Sequence, residues 1–131
     1  MLTLKNSVTL DGEKTKLRPR EGSCNLQDII YVAVCDICSD FYIGHTIDKL
    51  RIRINGHRSS FKPGLYKKSA LAFHIFTDHN ENISLGLDNF SIGVIKQLDP
   101  RYLLGAENLL IIKFEADSQH LNRYKAVRYT D

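Results

Sequence analysis

The chain has 131 residues, of which 43% are hydrophobic and 25% charged, and its 18 Lys and Arg against 15 Asp and Glu leave a net charge of +3. That length and ordinary composition predict one globular domain with a packed core and exclude a low-complexity chain. No apolar run is long enough to cross a membrane, residues 1–16 carry no signal-peptide core, and an odd count of three cysteines argues against a secreted disulfide framework, so reduced thiols in an intracellular setting are expected.

In chain order, residues 1–23 read as an N-terminal leader, partly irregular, and residues 24–131 as the domain proper. Within the leader, residues 6–10 predict a short strand and Asp11-Gly12 a turn. Residues 14–22, basic and interrupted by Pro19, predict little regular structure. Residues 29–34 form a continuous β-prone run, which predicts a buried strand. A polar connection, 35–40, leads to a second strand at 41–44, and the pair makes a hairpin. Thr46 is expected to cap a helix with Asp48 in its first turn. That helix should reach about Ser60, with a buried stripe of Ile47, Leu50, Ile54 and Phe61. Pro63-Gly64 then breaks the chain, and Ser69 caps a short second helix to about Thr77. Residues 78–88 read as a polar loop and 90–98 as a third strand. Asp99-Pro100 starts a last helix, since proline tolerates the first turn. It should run to about Glu115 with an apolar stripe of Leu103, Leu110, Ile111 and Phe114. The fold class expected is α+β: a small three-stranded antiparallel sheet flanked by helices.

Several residues do not fit a purely structural pattern. Helical spacing puts Glu107 on the buried stripe between Leu103 and Leu110. A carboxylate there must be paired, solvated in a cleft or bound to a cation. A structural salt bridge is its ordinary fate and metal ligation the alternative. Arg53 and His57 lie one turn apart on the first helix, and Tyr31 and Tyr42 on the two hairpin strands. Each pair taken alone is common helix surface or common strand composition. Between Lys49 and Lys68 the chain carries Lys49, Arg51, Arg53, Arg58, Lys62, Lys67 and Lys68 and no acidic residue. This stretch suits a phosphate backbone, or else is a solvated helix face. Cys35 and Cys38, separated by two residues, and His74 and His79, separated by four, have gaps found in structural zinc sites. The distance between the two pairs exceeds a zinc-finger spacing, so they meet only if the second helix packs on the hairpin. A reduced, metal-free pair is the other reading.

Taken together these residues resemble the GIY-YIG nuclease superfamily over roughly residues 25–122. Tyr42-Ile43-Gly44 matches the second half of the name motif. Ile29-Ile30-Tyr31 stands for the first half, with Ile29 in place of its glycine. Arg53 and His57 resemble the family's arginine and histidine, Glu107 its metal-binding glutamate, and Leu121-Asn122 its asparagine segment. Cys24-Asn25, the cysteine pair, Arg53 to Arg58 and Ser69-Ala70-Leu71-Ala72 are similar to the endonuclease domain of Penelope-like retroelements. In that branch cysteines between the halves of the motif and downstream histidines form a zinc-type motif, which Cys35, Cys38, His74 and His79 match. His45 departs from the acidic residue expected after the motif glycine.

The resemblance makes residues 24–131 a GIY-YIG endonuclease domain. It implies hydrolysis of phosphodiester bonds in DNA, nicking it for retroelement integration, with a reverse transcriptase domain of the same element as a further partner and the nucleus as the place of work, while the lack of a long apolar run predicts no membrane partner. Glu107 would hold one catalytic Mg²⁺ or Mn²⁺, an ion that prefers oxygen donors. Arg53 would neutralise a non-bridging phosphate oxygen. Tyr31 would orient or deprotonate the attacking water, Arg53 and the metal favouring its phenolate. Tyr42 would bond the water or phosphate, His57 would position Tyr31 or share the base role, and Asn122 would support them from behind. Lys49, Arg51, Arg58, Lys62, Lys67 and Lys68 would bind DNA, and Zn²⁺ at the Cys/His set would be structural. Two other classes remain open: a non-cutting nucleic-acid-binding module of the same fold, and a zinc-stabilised interaction domain.

Overall fold

A computed structural model describes residues 7–10, 13–16, 23–62, 64–79, 86–116 and 120–122. Two short strands, β1 (Ser7–Leu10) and β2 (Glu13–Lys16), pair antiparallel near the N-terminus. The body follows in the order β3 (Ile29–Cys35), β4 (Phe41–Thr46), α1 (Leu50–Arg58), α2 (Ala70–Asp78), β5 (Phe90–Gln97) and α3 (Pro100–Phe114). Its three strands form one antiparallel sheet in the order β4-β3-β5, so the fold is α+β as the sequence predicts.

The central strand explains its own composition. β3 has a neighbour on each side and helices over each face, so nearly every residue in it is buried and the run is apolar without alternation. Ile29, Tyr31, Ala33 and Cys35 face a core closed by Leu50 and Ile54 of α1 and Leu71 and Ile75 of α2. Ile30 and Val32 face the opposite core with Phe41, Ile43 and the α3 residues Leu103, Ile111 and Phe114. Burying each Leu, Ile or Phe contributes about 1.5–3 kcal/mol, which is what holds the helices to the sheet. Leu10 of β1 is fully buried in this second core. A bulge interrupts the β3–β5 ladder between Ile30 and Tyr31: Ile30 pairs with Lys96 and Tyr31 with Val94, leaving Ile95 extra. Bulges bend a strand and re-aim its side chains, and this one sits beside Tyr31.

Three expectations are corrected. Residues 13–16 are a strand rather than irregular, because β1 supplies a hairpin partner. Thr46 does not cap α1. Its hydroxyl accepts the Asp48 amide at 3.0 Å in a local turn, and the helix begins at Leu50 behind Lys49, which has no side-chain cap bond. Ile47 is consequently outside the helix and 61% exposed, and His57 completes the buried face with Leu50 and Ile54. The other two helix starts hold: Ser69 Oγ accepts the Ala72 amide, and Asp99 accepts that of Arg101 with Pro100 in the first turn. The Asp11-Gly12 turn, Pro63 and most of the predicted 78–88 loop (residues 80–85) lie outside the described residues, as do residues 17–22.

Candidate functional site

The hairpin brings Tyr31 and Tyr42 together on the α1 face of the sheet, with ring centroids 6.1 Å apart. The spacing is set at Gly44, which pairs with Tyr31 across the ladder. α1 adds His57, whose Nε2 lies 2.9 Å from the Tyr31 hydroxyl and whose ring meets Tyr42 edge-on at 5.7 Å. α2 adds Ser69, whose Oγ is 2.7 Å from His57 Nδ1 while also capping the helix. Ser69 thus has two jobs, and both ring nitrogens of His57 are occupied.

The electrostatics follow from burial. Loss of water pushes the Tyr31 hydroxyl far above its ordinary range, and Tyr42 adds to this. The Arg53 guanidinium pulls the other way but does not win. Tyr42 is raised by the same balance of burial against Arg53. Among the protein groups alone, desolvation of the Tyr31 anion outweighs the pull of the guanidinium. Burial first, and the charge of Arg53 second, push His57 down to about 4. A neutral imidazole carries one N–H, so one ring nitrogen donates and the other accepts: where Nε2 accepts, Tyr31 O–H donates to it and Nδ1–H donates to Ser69 Oγ.

A prediction follows for His57. An unfolded histidine titrates near 6.5. Between that value and the folded value of about 4, the unfolded chain binds the extra proton. The contribution to stability is therefore intact above about pH 6.5 and lost as the pH falls toward about 4. Nitrogen NMR of the labelled ring should show His57 neutral from about pH 8 down to about pH 5.5, whereas a midpoint near 6.5 would contradict the buried, Arg53-flanked placement.

Glu107 on α3 approaches from the other side of the sheet. Its carboxylate is in direct contact with His45 Nδ1 of β4, with side chains 16% and 35% exposed respectively. Its negative charge reaches both tyrosine hydroxyls and raises them. Asn122 lies against the free edge of β4. Its side-chain carbonyl accepts the Ile43 amide at 2.9 Å and its amide donates to the Ile43 carbonyl at 2.7 Å, so it pairs with the edge as a further strand would. This holds the backbone next to Gly44.

Beside the tyrosines opens a cleft of about 310 Å³, lined by Tyr42, Arg53, His57, Lys67, Lys68, Ser69 and Ala70. Tyr31, with no exposed surface, stands behind Tyr42 rather than in the wall. Of the predicted DNA-binding residues, the fold gathers Lys67 and Lys68 with Arg53. Lys49, Arg51, Arg58 and Lys62 are not in this wall, and Arg51 bonds Asn25.

The second cluster joins the far end of the hairpin to α2. Cys35 closes β3, Cys38 lies in the turn, His74 is in α2, and His79 follows its end. Their ligand atoms all lie within 4.8 Å of one another. His79 Nε2 is 3.7 Å from Cys35 Sγ and 3.2 Å from His74 Nε2, which is 3.3 Å from Cys38 Sγ. Tetrahedral bonds of zinc-like length would space such donors about 3.3–3.8 Å apart. Burial opposes ionisation of the Cys35 thiol, yet the neighbouring His74 imidazole and backbone amides outweigh it and bring it down to about 6, while burial pushes the Cys38 thiol up to about 11. Asp78 accepts from His74 Nδ1 at 2.7 Å, the carboxylate partner that orients a ligating imidazole. These four residues could hold one metal ion.

No family model, no curated protein and no solved structure matches the chain. Sequence reasoning missed Ser69 as the partner of His57, Asp78 behind His74, and His45 beside Glu107. The one-turn spacing of His74 and Asp78 was a readable signal. The other two contacts arise from packing between elements and leave no trace in spacing.

Proposed function

We propose that the chain is a metal-dependent DNA endonuclease of the GIY-YIG type, similar to the enzymes that nick DNA for integration of Penelope-like retroelements. The observation that carries this reading is the cleft wall, where Arg53, Lys67 and Lys68 converge with Tyr42 and a neutral His57. Phosphodiester hydrolysis needs positive charge on the phosphate, an oriented water and a place for its proton. Arg53 is the fork that suits a phosphate oxygen, with Lys67 and Lys68 holding the strand as point charges. Tyr42 orients the water in the wall. The Tyr31–His57 pair takes the proton: Tyr31 passes its own proton to His57 Nε2 and is reprotonated from the water side, which leaves an imidazolium partly stabilised by Ser69. Protonated phenols and a neutral imidazole are the starting states this transfer requires.

Glu107 supplies a carboxylate oxygen donor, which with waters and a substrate phosphate fits a single divalent cation, Mg²⁺ or Mn²⁺. Such an ion supplies Lewis-acid stabilisation of the phosphate and the leaving 3′ oxygen. The Cys35, Cys38, His74, His79 set fits structural Zn²⁺: two thiols and two imidazoles complete a tetrahedron and leave no open position for chemistry. DNA is the partner, with a reverse transcriptase domain of the same element as a second and the nucleus as the setting.

A second reading has its own support. Tyr31 is fully buried and Glu107 is engaged by His45, an arrangement that also suits a module holding nucleic acid without cutting it. Nicking of supercoiled plasmid separates the two. The endonuclease converts it to open circle with Mg²⁺ or Mn²⁺, and Arg53→Ala and Glu107→Ala each lose about a hundredfold or more while remaining folded. Binding without conversion by the wild type supports the module instead.

A further inference from the structure

We propose that His45 is a direct ligand of the catalytic cation, so that the site is a nitrogen–oxygen pair selective for Mn²⁺ over Mg²⁺ rather than a lone carboxylate. This rests on the reading of Glu107 as the metal-binding residue and adds a second donor to it.

Strand alternation places the two donors on one face of the sheet. Phe41, Ile43 and His45 point to the α3 side of β4, while Tyr42 and Gly44 point to the α1 side. Glu107 follows buried Leu103 by one turn of α3, so its side chain rises on the face that meets β4. The result is an imidazole Nδ1 and a carboxylate oxygen brought to one point. Both groups are partly open to solvent, so a cation can arrive with waters still bound. The charge of Glu107 is felt at both tyrosine hydroxyls, although neither Glu107 nor His45 lines the cleft itself. Mg²⁺ keeps to oxygen ligands and sheds water reluctantly, whereas Mn²⁺, though also served by carboxylate and water, accepts an imidazole nitrogen more readily than Mg²⁺ does. The residue after the motif glycine therefore decides metal preference: a carboxylate there would favour Mg²⁺, and histidine favours Mn²⁺.

The test uses the full chain loaded with one equivalent of Zn²⁺, so that the Cys/His cluster is filled, and needs neither DNA nor turnover. Mn²⁺ is titrated and followed by electron paramagnetic resonance, with Mg²⁺ as competitor. Wild type is expected to bind Mn²⁺ with hyperfine coupling to a nitrogen and to prefer it over Mg²⁺. His45→Ala should lose the coupling and weaken binding about tenfold or more. His45→Asp should keep binding, lose the coupling and shift the preference toward Mg²⁺. Circular dichroism checks that both variants are folded. Unchanged affinity and coupling in His45→Ala, or no Mn²⁺ bound by the wild type, overturns the proposal. Loss of binding in Glu107→Ala with none in His45→Ala overturns it while leaving Glu107 as the ligand, so the two readings fail separately.

Discussion

Gly44→Ala is expected to lower DNA cleavage by about a hundredfold or more and to cost roughly 1–3 kcal/mol of stability. A Cβ built at this position would lie 2.6 Å from Tyr31 Cζ, 2.7 Å from its hydroxyl oxygen and 2.7 Å from Tyr42 Cε2. Real carbon contacts do not come that close, so something must move. Tyr31 cannot move freely: it has no exposed surface and its hydroxyl is tied to His57. The added methyl must therefore displace Tyr31 or open the β3–β4 ladder, and either change separates Tyr31 from His57 and Tyr42 from the cleft. Plasmid nicking rates and denaturant midpoints read the two effects. The control is Gly56→Ala on the exposed side of α1, where a Cβ meets nothing within 4 Å. There alanine should stabilise by up to about 1 kcal/mol through helix propensity and leave cleavage intact. Equal behaviour of the two variants would mean that the tyrosine spacing does not depend on Gly44.

Removing metal from the Cys35, Cys38, His74, His79 cluster should have the second large effect. The cluster joins the end of β3 and the following turn to α2, elements far apart in sequence. A metal bound only by the folded state stabilises it by about 4 kcal/mol when free metal is a thousandfold above Kd. For a domain of this size that corresponds to a fall in Tm on the order of 10–20 °C on stripping. The measurement is calorimetry before and after chelation with Mg²⁺ in excess throughout, followed by readdition of Zn²⁺. Recovery of Tm on readdition is expected, and Cys38→Ser should behave as the stripped protein does. A Tm unmoved by chelation would make the cluster an ordinary set of thiols and imidazoles. Because Tyr31 lies on the same strand as Cys35 and Ser69 at the start of the same helix as His74, cleavage should fall with the Tm.

How much of this was legible in the sequence depended on whether the signal was local. The β3 run, the proline start of α3 and the Ser69 cap are carried by neighbouring residues, and the structure has them where the sequence puts them. Thr46 misled because its hydroxyl does accept the Asp48 amide as a cap would, yet the chain stays extended at Lys49 and the helix begins only at Leu50. Glu107 was marked by helical spacing as an odd residue on an apolar stripe, but its partner could not be read, since His45 meets it only through the packing of α3 on β4. Ser69 was legible as a cap and not as the partner of His57, because that contact depends on how α2 lies beside α1. Tyr31 was legible as a candidate, while its complete burial behind Tyr42 was not, because strand alternation says which face a residue takes and not how deep it lies. The Cys/His spacing proposed a metal site conditionally, and the packing of α2 on the hairpin meets that condition.

Cleavage of a labelled DNA duplex, with Mn²⁺ or Mg²⁺ and with chelator in parallel, tests the central claim most directly. Strand scission is expected that requires the divalent ion, is lost in Glu107→Ala, and leaves a 3′-hydroxyl and a 5′-phosphate, since the 3′ oxygen is the leaving group. Binding of the duplex with no scission under any divalent ion, or scission that persists in chelator, would contradict it.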